Sequence, residues 1–279
     1  MLACFASPAS ADWTLDAAAD ITYDSNLSRA AEADVIHGDS AATTTVAAHS
    51  FAAPNAFDGV SWGVEGGFQR YARYRGLDNQ WLGTNATWRH KFAVGLTAPW
   101  ILVAADAQFR DYDDELRSGP RIDARLETGR RFNETFSART GLTYDARHSN
   151  HGEPAYPPVS GQVFNIHGRG AYVAVDYAVM PNLLVGAMGS VRRGDVVATA
   201  SEDSHVYVGV TAVVYDATFG HGLYAYRLRG TTQTALLTAS WALDDHSSLD
   251  LGYTRQVTRA VGGLDYRGNA ASLAFIYRY

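Results

Sequence analysis

Residues 121–127 read Arg-Ile-Asp-Ala-Arg-Leu-Glu, in which polar and apolar side chains alternate without exception. Successive side chains of a β-strand point to opposite faces, so this pattern predicts a strand with one polar and one apolar face. The same period of two runs through the neighbouring segments 101–110 and 136–145. The chain from residue 12 onward is therefore predicted to consist of β-strands.

Three features favour a membrane-spanning barrel over a soluble β-sandwich, whose strands also alternate. The predicted strands are about 10–15 residues long, which exceeds the usual 5–6 residues of soluble sheets and suits a tilted crossing of a bilayer. Charged and amide side chains stand in the middle of strands, as they do on the inner face of a barrel. Short connections such as 131–134 alternate with longer ones such as 148–161. The predicted fold class is an all-β, transmembrane, antiparallel up-and-down β-barrel.

Fourteen strands are predicted within one domain that covers residues 12–279. The predicted spans are 13–25, 40–52, 58–74, 80–92, 99–112, 120–131, 135–148, 162–178, 183–194, 204–216, 222–229, 231–243, 248–259 and 264–279. Twelve strands are the alternative, reached by losing the segment 40–52 or the pair within 222–243. Both counts are even, as in bacterial barrels whose two termini lie on the periplasmic side.

Composition excludes several other classes of protein. A net charge of −6 over 279 residues excludes a strongly basic nucleic-acid-binding protein. The single cysteine, Cys4, excludes a disulfide framework. No apolar run approaches the ~18 residues of a transmembrane helix.

The first eleven residues are uncharged and end in Ala9-Ser10-Ala11, a small-x-small pattern that signal peptidase accepts. We expect residues 1–11 to be the remnant of a signal peptide and Asp12 to begin the mature chain. An ordinary N-terminal segment and a lipid-modified Cys4 are the alternatives.

The last strand places Leu273, Phe275, Tyr277 and Tyr279 on one face and ends in an aromatic residue. It resembles the terminal strand of Gram-negative outer-membrane β-barrels. The resemblance implies a bacterial outer-membrane location and recognition by the barrel assembly machinery through Phe275, Tyr277 and Tyr279. The segment 23–26, Tyr-Asp-Ser-Asn, is similar to first strands of fourteen-stranded barrels, including that of surface lipoprotein assembly modifiers. In size the chain also resembles fourteen-stranded monomeric porins.

The alternation of side chains along each strand predicts which of them contact lipid and which face the lumen. The predicted lipid-facing set includes Leu15, Ile21, Trp62, Leu126, Leu142, Val185, Leu237, Leu251 and Phe275. The predicted lumen-facing charges are Arg73, Arg75, Arg89, Arg110, Arg121, Arg125, Arg139, Arg147, Arg169, Arg192, Arg227, Arg229, Asp16, Asp20, Glu65, Asp106, Asp123, Glu127, Asp145 and Asp250. One aromatic girdle is predicted at the periplasmic end, from Trp13, Trp62, Trp88, Trp100 and Trp241. The other is predicted at the outer end, from Trp81, Tyr23, Tyr144, Tyr224, Tyr226 and Tyr253.

Seven of the predicted lumen arginines form a candidate solute-binding wall. They are Arg110, Arg121, Arg125, Arg139, Arg147, Arg169 and Arg192, with Asp16, Asp20 and Glu65 on the opposing side. Arginine binds carboxylate and phosphate through a rigid fork of donors, so such a wall favours anionic solutes. The alternative is that these arginines pair with acidic residues on neighbouring strands and only fill the barrel.

The predicted function is passive or weakly selective passage of small hydrophilic solutes, anions among them. One alternative is an accessory barrel for export or surface display of a polysaccharide or lipoprotein. Another is a lipid esterase that uses His148, Ser149, His151 or His167, a histidine and serine pair of the kind found in outer-membrane hydrolases. The preferred interpretation requires no catalytic residue, cofactor or metal. The predicted partners are outer-membrane lipids, lipopolysaccharide at Arg255, Asp265, Arg267 and Asn269, and small solutes, but no nucleic acid.

Overall fold

The computed structural model describes residues 13–149, 151–202 and 209–279, and the predicted signal-peptide remnant lies outside them. The described residues form thirteen strands: β1 (Trp13–Asp24), β2 (Asp39–Ala52), β3 (Asp58–Tyr71), β4 (Asn79–Lys91), β5 (Trp100–Tyr112), β6 (Gly119–Arg131), β7 (Phe136–Arg147), β8 (Ile166–Met180), β9 (Leu183–Ser201), β10 (Ala212–Tyr215), β11 (Leu223–Ala242), β12 (Ser247–Ala260) and β13 (Asp265–Arg278). Two single-turn 3₁₀ helices cover Arg75–Leu77 and Glu115–Arg117. None of the helices in the described ranges has the length and hydropathy to cross a membrane.

Twelve of the described strands close into one antiparallel ring. Strands β1 to β9 follow each other in chain order, and β11, β12 and β13 complete the circuit through the β11–β9 and β1–β13 pairings. β10 lies outside the ring, along the upper edge of β11. The predicted all-β barrel is confirmed. Its strand number is the twelve of the alternative rather than fourteen.

The two surplus predicted strands have a specific structural explanation. The predicted pair 222–229 and 231–243 is one continuous strand, because β11 passes through Gly230 with its register to β9 unbroken. The predicted strand 204–216 contributes only the four-residue β10 in its described part. The segment 40–52, whose loss would have given twelve strands, is present as β2.

The outward face of the barrel is apolar, as the alternation predicts. Ile21 is 61% exposed, Leu142 59% and Leu237 58%, and each lies mid-strand. The complete predicted lipid-facing set falls on this outer face in the cross-strand register. A β-barrel with an apolar outer belt is the architecture of an outer-membrane protein.

Four aromatic side chains depart from the predicted girdles, and one of them, Tyr224, lies in the part of β11 above the barrel. Trp100 and Trp81 face the lumen, because each packs over a glycine of a neighbouring strand. A Cβ atom on Gly129 would lie 2.4 Å from the Trp100 ring, and one on Gly67 would lie 2.5 Å from the Trp81 ring. Tyr226 is fully buried above the barrel. The other predicted outer-end tyrosines include Tyr23, Tyr144 and Tyr253, each about half exposed.

The upper parts of β9 and β11 extend beyond the barrel rim and, with β10, form a feature that we name the arch, residues 195–201 and 212–229. Register pairing between β9 and β11 continues without interruption from the barrel into the arch. One side of the arch packs Val196, Val213, Tyr226 and Leu228 together, and the other packs Ala212, Val214 and Ala225 against Phe164. The arch therefore has a hydrophobic core of its own.

Candidate functional site

The arch crosses the outer mouth of the barrel. Phe219 lies in the connection between β10 and β11, and Tyr74 lies in the loop between β3 and β4. Six strands separate these two positions in either direction around the ring, so they start from opposite sides of it. Their rings nevertheless meet with centroids 5.0 Å apart, and His37 of the β1–β2 loop stacks on Phe219 at 5.8 Å. Since opposite rims can touch only across the opening, the arch spans the mouth.

A buried ion pair fixes the arch in this position. Arg117, in the loop between β5 and β6, places Nη2 2.9 and 2.8 Å from the two carboxylate oxygens of Asp216. Its Nε donates to Asp114 at 3.0 Å, and the Thr199 hydroxyl donates to Asp216 at 3.1 Å. Asp216 is only 1% exposed, and the Arg117 guanidinium lies over the Phe164 ring at 4.3 Å. We name Arg117, Asp114, Asp216 and Thr199 the mouth lock.

Arg117 remains positively charged within the mouth lock. Burial alone would lower the pKa of its guanidinium, but the negative charges of Asp216 and Asp114 and their hydrogen bonds outweigh burial and raise the pKa. Taking one partner from a buried pair leaves the other charge desolvated and alone. Loss of either Arg117 or Asp216 is therefore expected to disrupt the whole mouth lock.

His37 makes the mouth contact sensitive to acid. Burial, and then the charge of Arg73, lower the pKa of His37 from its ordinary value of 6.5. A histidine whose pKa is lower in the folded state than in the unfolded state destabilises the fold as the pH falls through the unfolded pKa, because protons then bind the unfolded state first. We expect the contact between His37 and Phe219 to weaken as the pH falls below 6.5. NMR titration of the imidazole checks the sign, because a midpoint at or above 6.5 contradicts it. A His37→Phe variant should keep the contact at all pH values.

Beneath the arch lies a cavity of about 800 Å³ inside the barrel. Its roof includes Leu27, Val197, Thr199 and Phe219 from the arch and loops, and its walls are lumen-facing residues of the barrel strands. Six arginines and four aspartates line it among the described residues: Arg29, Arg117, Arg121, Arg125, Arg147, Arg192, Asp106, Asp123, Asp145 and Asp195. The cavity is therefore net positive in a chain whose net charge is −6.

The predicted arginine wall is partly neutralised by ion pairs. Arg192 places Nη2 2.6 Å from an oxygen of Asp145, and Arg121 places Nε 2.6 Å from an oxygen of Asp123. Arg139 lies between Glu127, at 3.6 Å, and Asp176. Arg139 follows the alternative interpretation, in which acidic residues on neighbouring strands neutralise the arginines. Arg192 pairs across β8 with a residue of β7, and Arg121 pairs within β6. The basic and acidic residues also form rows across the strands, because Asp123 is in register with both Asp106 and Asp145.

Four arginines of the predicted wall have no acidic partner within 4.0 Å among the described residues, and three of them face the lumen. Arg110 donates to the Gln108 side chain at 2.6 Å and lies over the Trp81 ring at 4.7 Å. Arg147 lies over the Tyr112 ring at 4.9 Å and donates to the backbone carbonyl of Arg117. Arg125 lines the cavity without such contacts. These three side chains supply the positive excess of the lumen.

Arg169 is not a lumen residue, which corrects the sequence prediction. It is directly in register with Tyr144, whose ring faces outward, so Arg169 points outward as well. His167, two residues earlier, has the same parity and bonds Asp195 with 2.9 Å between Nδ1 and Oδ2. Arg227 and Arg229 border a second cavity on this outer side, beside Ile122 and Tyr144. Arginine is tolerated on the outer face here because these positions lie at the outer strand ends.

The remaining predicted lumen charges lie in varied surroundings. Asp16 faces the lumen and pairs with Arg278 at 2.8 Å, and Asp20 accepts a hydrogen bond from Thr22 at 2.8 Å. β1 lies opposite β7 in the ring, so both acids face the side that carries Arg139 and Arg147. Glu65 of β3 likewise lies opposite β9. Arg73 and Arg75 belong to the β3–β4 loop and not to a strand.

The hydrolase alternative finds little structural support. The Ser149 hydroxyl is buried and donates to the backbone carbonyl of Leu116 at 2.7 Å. No imidazole hydrogen-bonds this hydroxyl within the described part of the chain, and Asn150 lies outside that part. Over the same residues, no group of three or more histidine, cysteine, aspartate or glutamate side chains could hold a metal ion.

Sequence reasoning missed the mouth lock. Arg117 lies in a short loop, and Asp216 lies at the end of a segment predicted to cross the membrane. Only the crossing of the arch brings them together over a separation of 99 residues. The role of Asn26 was not predicted either. Its side-chain amide donates to the backbone carbonyls of Ala30, at 2.8 Å, and Arg267, at 2.9 Å. It therefore organises the loop that meets the arch.

Comparison with known proteins gives a structural likeness only. No family model and no curated protein sequence matches the chain. An outer-membrane channel from Pseudomonas putida F1 is similar in structure, with a TM-score of 0.56 and 9% identity over 98% of this chain and 100% of that chain. The channel DcaP of Acinetobacter baumannii has a TM-score of 0.47 and 12% identity, covering 100% of both chains. The NanC porin has a TM-score of 0.47 and 9% identity over 94% of this chain and 98% of that chain.

The likeness to the Pseudomonas putida channel therefore concerns the fold. It agrees with the closed β-barrel fold, to which the structure adds a ring of twelve strands, an apolar outer belt and a charged lumen. These features together identify the chain as a β-barrel protein of the bacterial outer membrane.

Proposed function

We propose that the protein is an outer-membrane channel for small hydrophilic solutes and that its lumen favours anions. The observation that carries this proposal is the net positive cavity of about 800 Å³ within the barrel. Fixed positive charge within low-dielectric walls raises the local concentration of anions. Of the wall arginines that line the cavity, Arg125 and Arg147 supply that charge, because Arg121 and Arg192 pair with acidic residues.

The arch restricts this channel from outside. It forms the roof of the cavity, so a solute must pass beside it or displace it. We expect low conductance and weak anion preference in the locked state. Salt should weaken that preference, since the Debye length falls from about 10 Å at 0.1 M to about 3 Å at 1 M.

The test is the reversal potential across a salt gradient in planar bilayers. The native chain should prefer anions, and Arg125→Gln/Arg147→Gln should lose most of that preference. Arg130→Gln/Arg131→Gln is the matched control, because it removes the same charge at the opposite end of the strands and outside the cavity. An identical ion preference in all three proteins would contradict the proposal for anions. Absence of current from the native chain and from a variant with an opened lock would contradict the channel itself and favour an export accessory.

A further inference from the structure

A row of arginines crosses the outer surface of the barrel at its outer end. Tyr144 is directly in register with Arg169, Arg169 with Arg193, Arg193 with Thr231, and Thr231 with Arg259. Residues in direct register point to the same face of a sheet. The row therefore runs outward across β7, β8, β9, β11 and β12, on the face that carries the apolar belt.

The row lies at the depth of lipid headgroups. Tyr144 belongs to the row itself, and its ring is about half exposed on the outer face. Tyrosine rings on this face mark the boundary between hydrocarbon and headgroups. The arginines therefore lie beside or above that boundary, where phosphate groups of outer-leaflet lipids are found.

The positive charge of this row is not balanced by the protein. Arg169 and Arg193 are exposed cross-strand neighbours, and no acidic group lies within 4.0 Å of either guanidinium among the described residues. Arg259 approaches only Asp265, at 3.9 Å, and both side chains are more than half exposed. Like charges directly opposite each other destabilise a sheet. An anion that contacts both guanidinium groups would remove this repulsion.

A cavity of about 500 Å³ adjoins one end of the row. It is bordered by Ile122 and Tyr144 on the apolar side and by Arg229 on the charged side. Asp195 also lines it, but its carboxylate accepts from both the backbone N–H and the ring of His167. The row thus meets a concave surface that combines apolar and cationic groups, which suits a lipid headgroup with its first acyl carbons.

We propose that Arg169, Arg193 and Arg259 bind the phosphate groups of a phosphorylated glycolipid of the outer leaflet, the chemical class of lipopolysaccharide. Guanidinium groups bind phosphate oxygens through paired, charge-assisted hydrogen bonds. Arg169 and Arg193 lie on the neighbouring strands β8 and β9, and Arg259 lies on β12 with β11 between, so one headgroup with two phosphates can contact Arg169 and Arg193 together. This site is on the outer surface and is independent of the lumen and of any transport.

The test measures binding of diphosphorylated lipid A to the full chain in detergent micelles by native mass spectrometry. Arg169→Gln/Arg193→Gln should weaken binding about tenfold or more, because it removes two charge-assisted contacts. Arg130→Gln/Arg131→Gln, with the same charge change at the other end of the barrel, should bind like the native chain. Lipid A without phosphates should bind weakly to all three proteins.

A second measurement separates lost binding from lost folding. In micelles free of lipid A, Arg169→Gln/Arg193→Gln should be at least as stable toward denaturant as the native chain, because it removes a repulsive pair. Equal binding of lipid A by all three proteins would overturn the proposal. So would equal binding of the phosphate-free lipid, or binding of inorganic phosphate as tight as that of lipid A.

Discussion

Replacement of Arg117 by alanine is expected to release the arch from the barrel mouth. The change leaves Asp216 buried without its cation, which destabilises a structure by about 3–5 kcal/mol when one partner of a buried pair is removed. Since 1.36 kcal/mol corresponds to a factor of ten, opening of the arch should become more frequent by a hundredfold or more, as an order of magnitude. Amide hydrogen exchange at Thr199 measures this opening directly, because its backbone N–H donates to the Ser28 carbonyl of the β1–β2 loop at 3.0 Å in the closed arch.

Arg75→Ala is the matched control for this prediction. Arg75 lies in the neighbouring outer loop and approaches Asp78 at 3.5 Å, but its side chain is 67% exposed. Exposed ion pairs contribute little, so exchange within the arch should not change. If solutes pass through the lumen, Arg117→Ala should also increase single-channel conductance. Unchanged exchange at Thr199 in Arg117→Ala would show that the lock does not hold the arch.

Placing arginine at residue 142 is expected to destabilise the whole barrel. Leu142 is 59% exposed at the middle of β7 and faces outward beside Leu126. A charged side chain at that depth meets hydrocarbon and lowers the free energy of unfolding by roughly 2–4 kcal/mol. Denaturant unfolding of the protein in lipid vesicles should show this loss for Leu142→Arg.

Thr143→Arg provides the control one residue away. Thr143 faces the lumen cavity, where an added guanidinium remains hydrated. This variant should unfold close to the native chain and should increase the anion preference of the channel. Equal destabilisation by the two substitutions would mean that the two faces of β7 do not differ as described.

The faces of the strands could be predicted from sequence because lipid and lumen impose opposite chemistry. In β7, Leu142 and Tyr144 face lipid while Arg139 and Asp145 face the lumen, and a shift by one residue would place charges in hydrocarbon. At the outer strand ends this constraint disappears. Arg169 points outward near the outer end of β8, where a cation on the outer face costs little, so polarity there no longer reports the face.

The strand number could not be predicted because the strands of the arch have a hydrophobic pattern like that of barrel strands. Val196 and Leu228 pack on one side of the arch and Val197 and Ala225 on the other, so its strands are buried on both faces. Hydrophobic patterning does not distinguish such strands from a membrane crossing. The mouth lock was equally hidden, because the proximity of Arg117 and Asp216 results from tertiary folding and not from spacing in the sequence.

The continuity of β9 and β11 has a mechanical consequence. These strands, of 19 and 20 residues, carry one hydrogen-bonded ladder from the membrane to the tip of the arch, and no register shift interrupts it. A flap joined through a flexible hinge can swing without disturbing its base, but a stiff ribbon transmits bending to its root. Force applied at Phe219 is therefore transmitted to the barrel wall at Gly194 and Gly230, so movement of the arch bends the barrel at its rim.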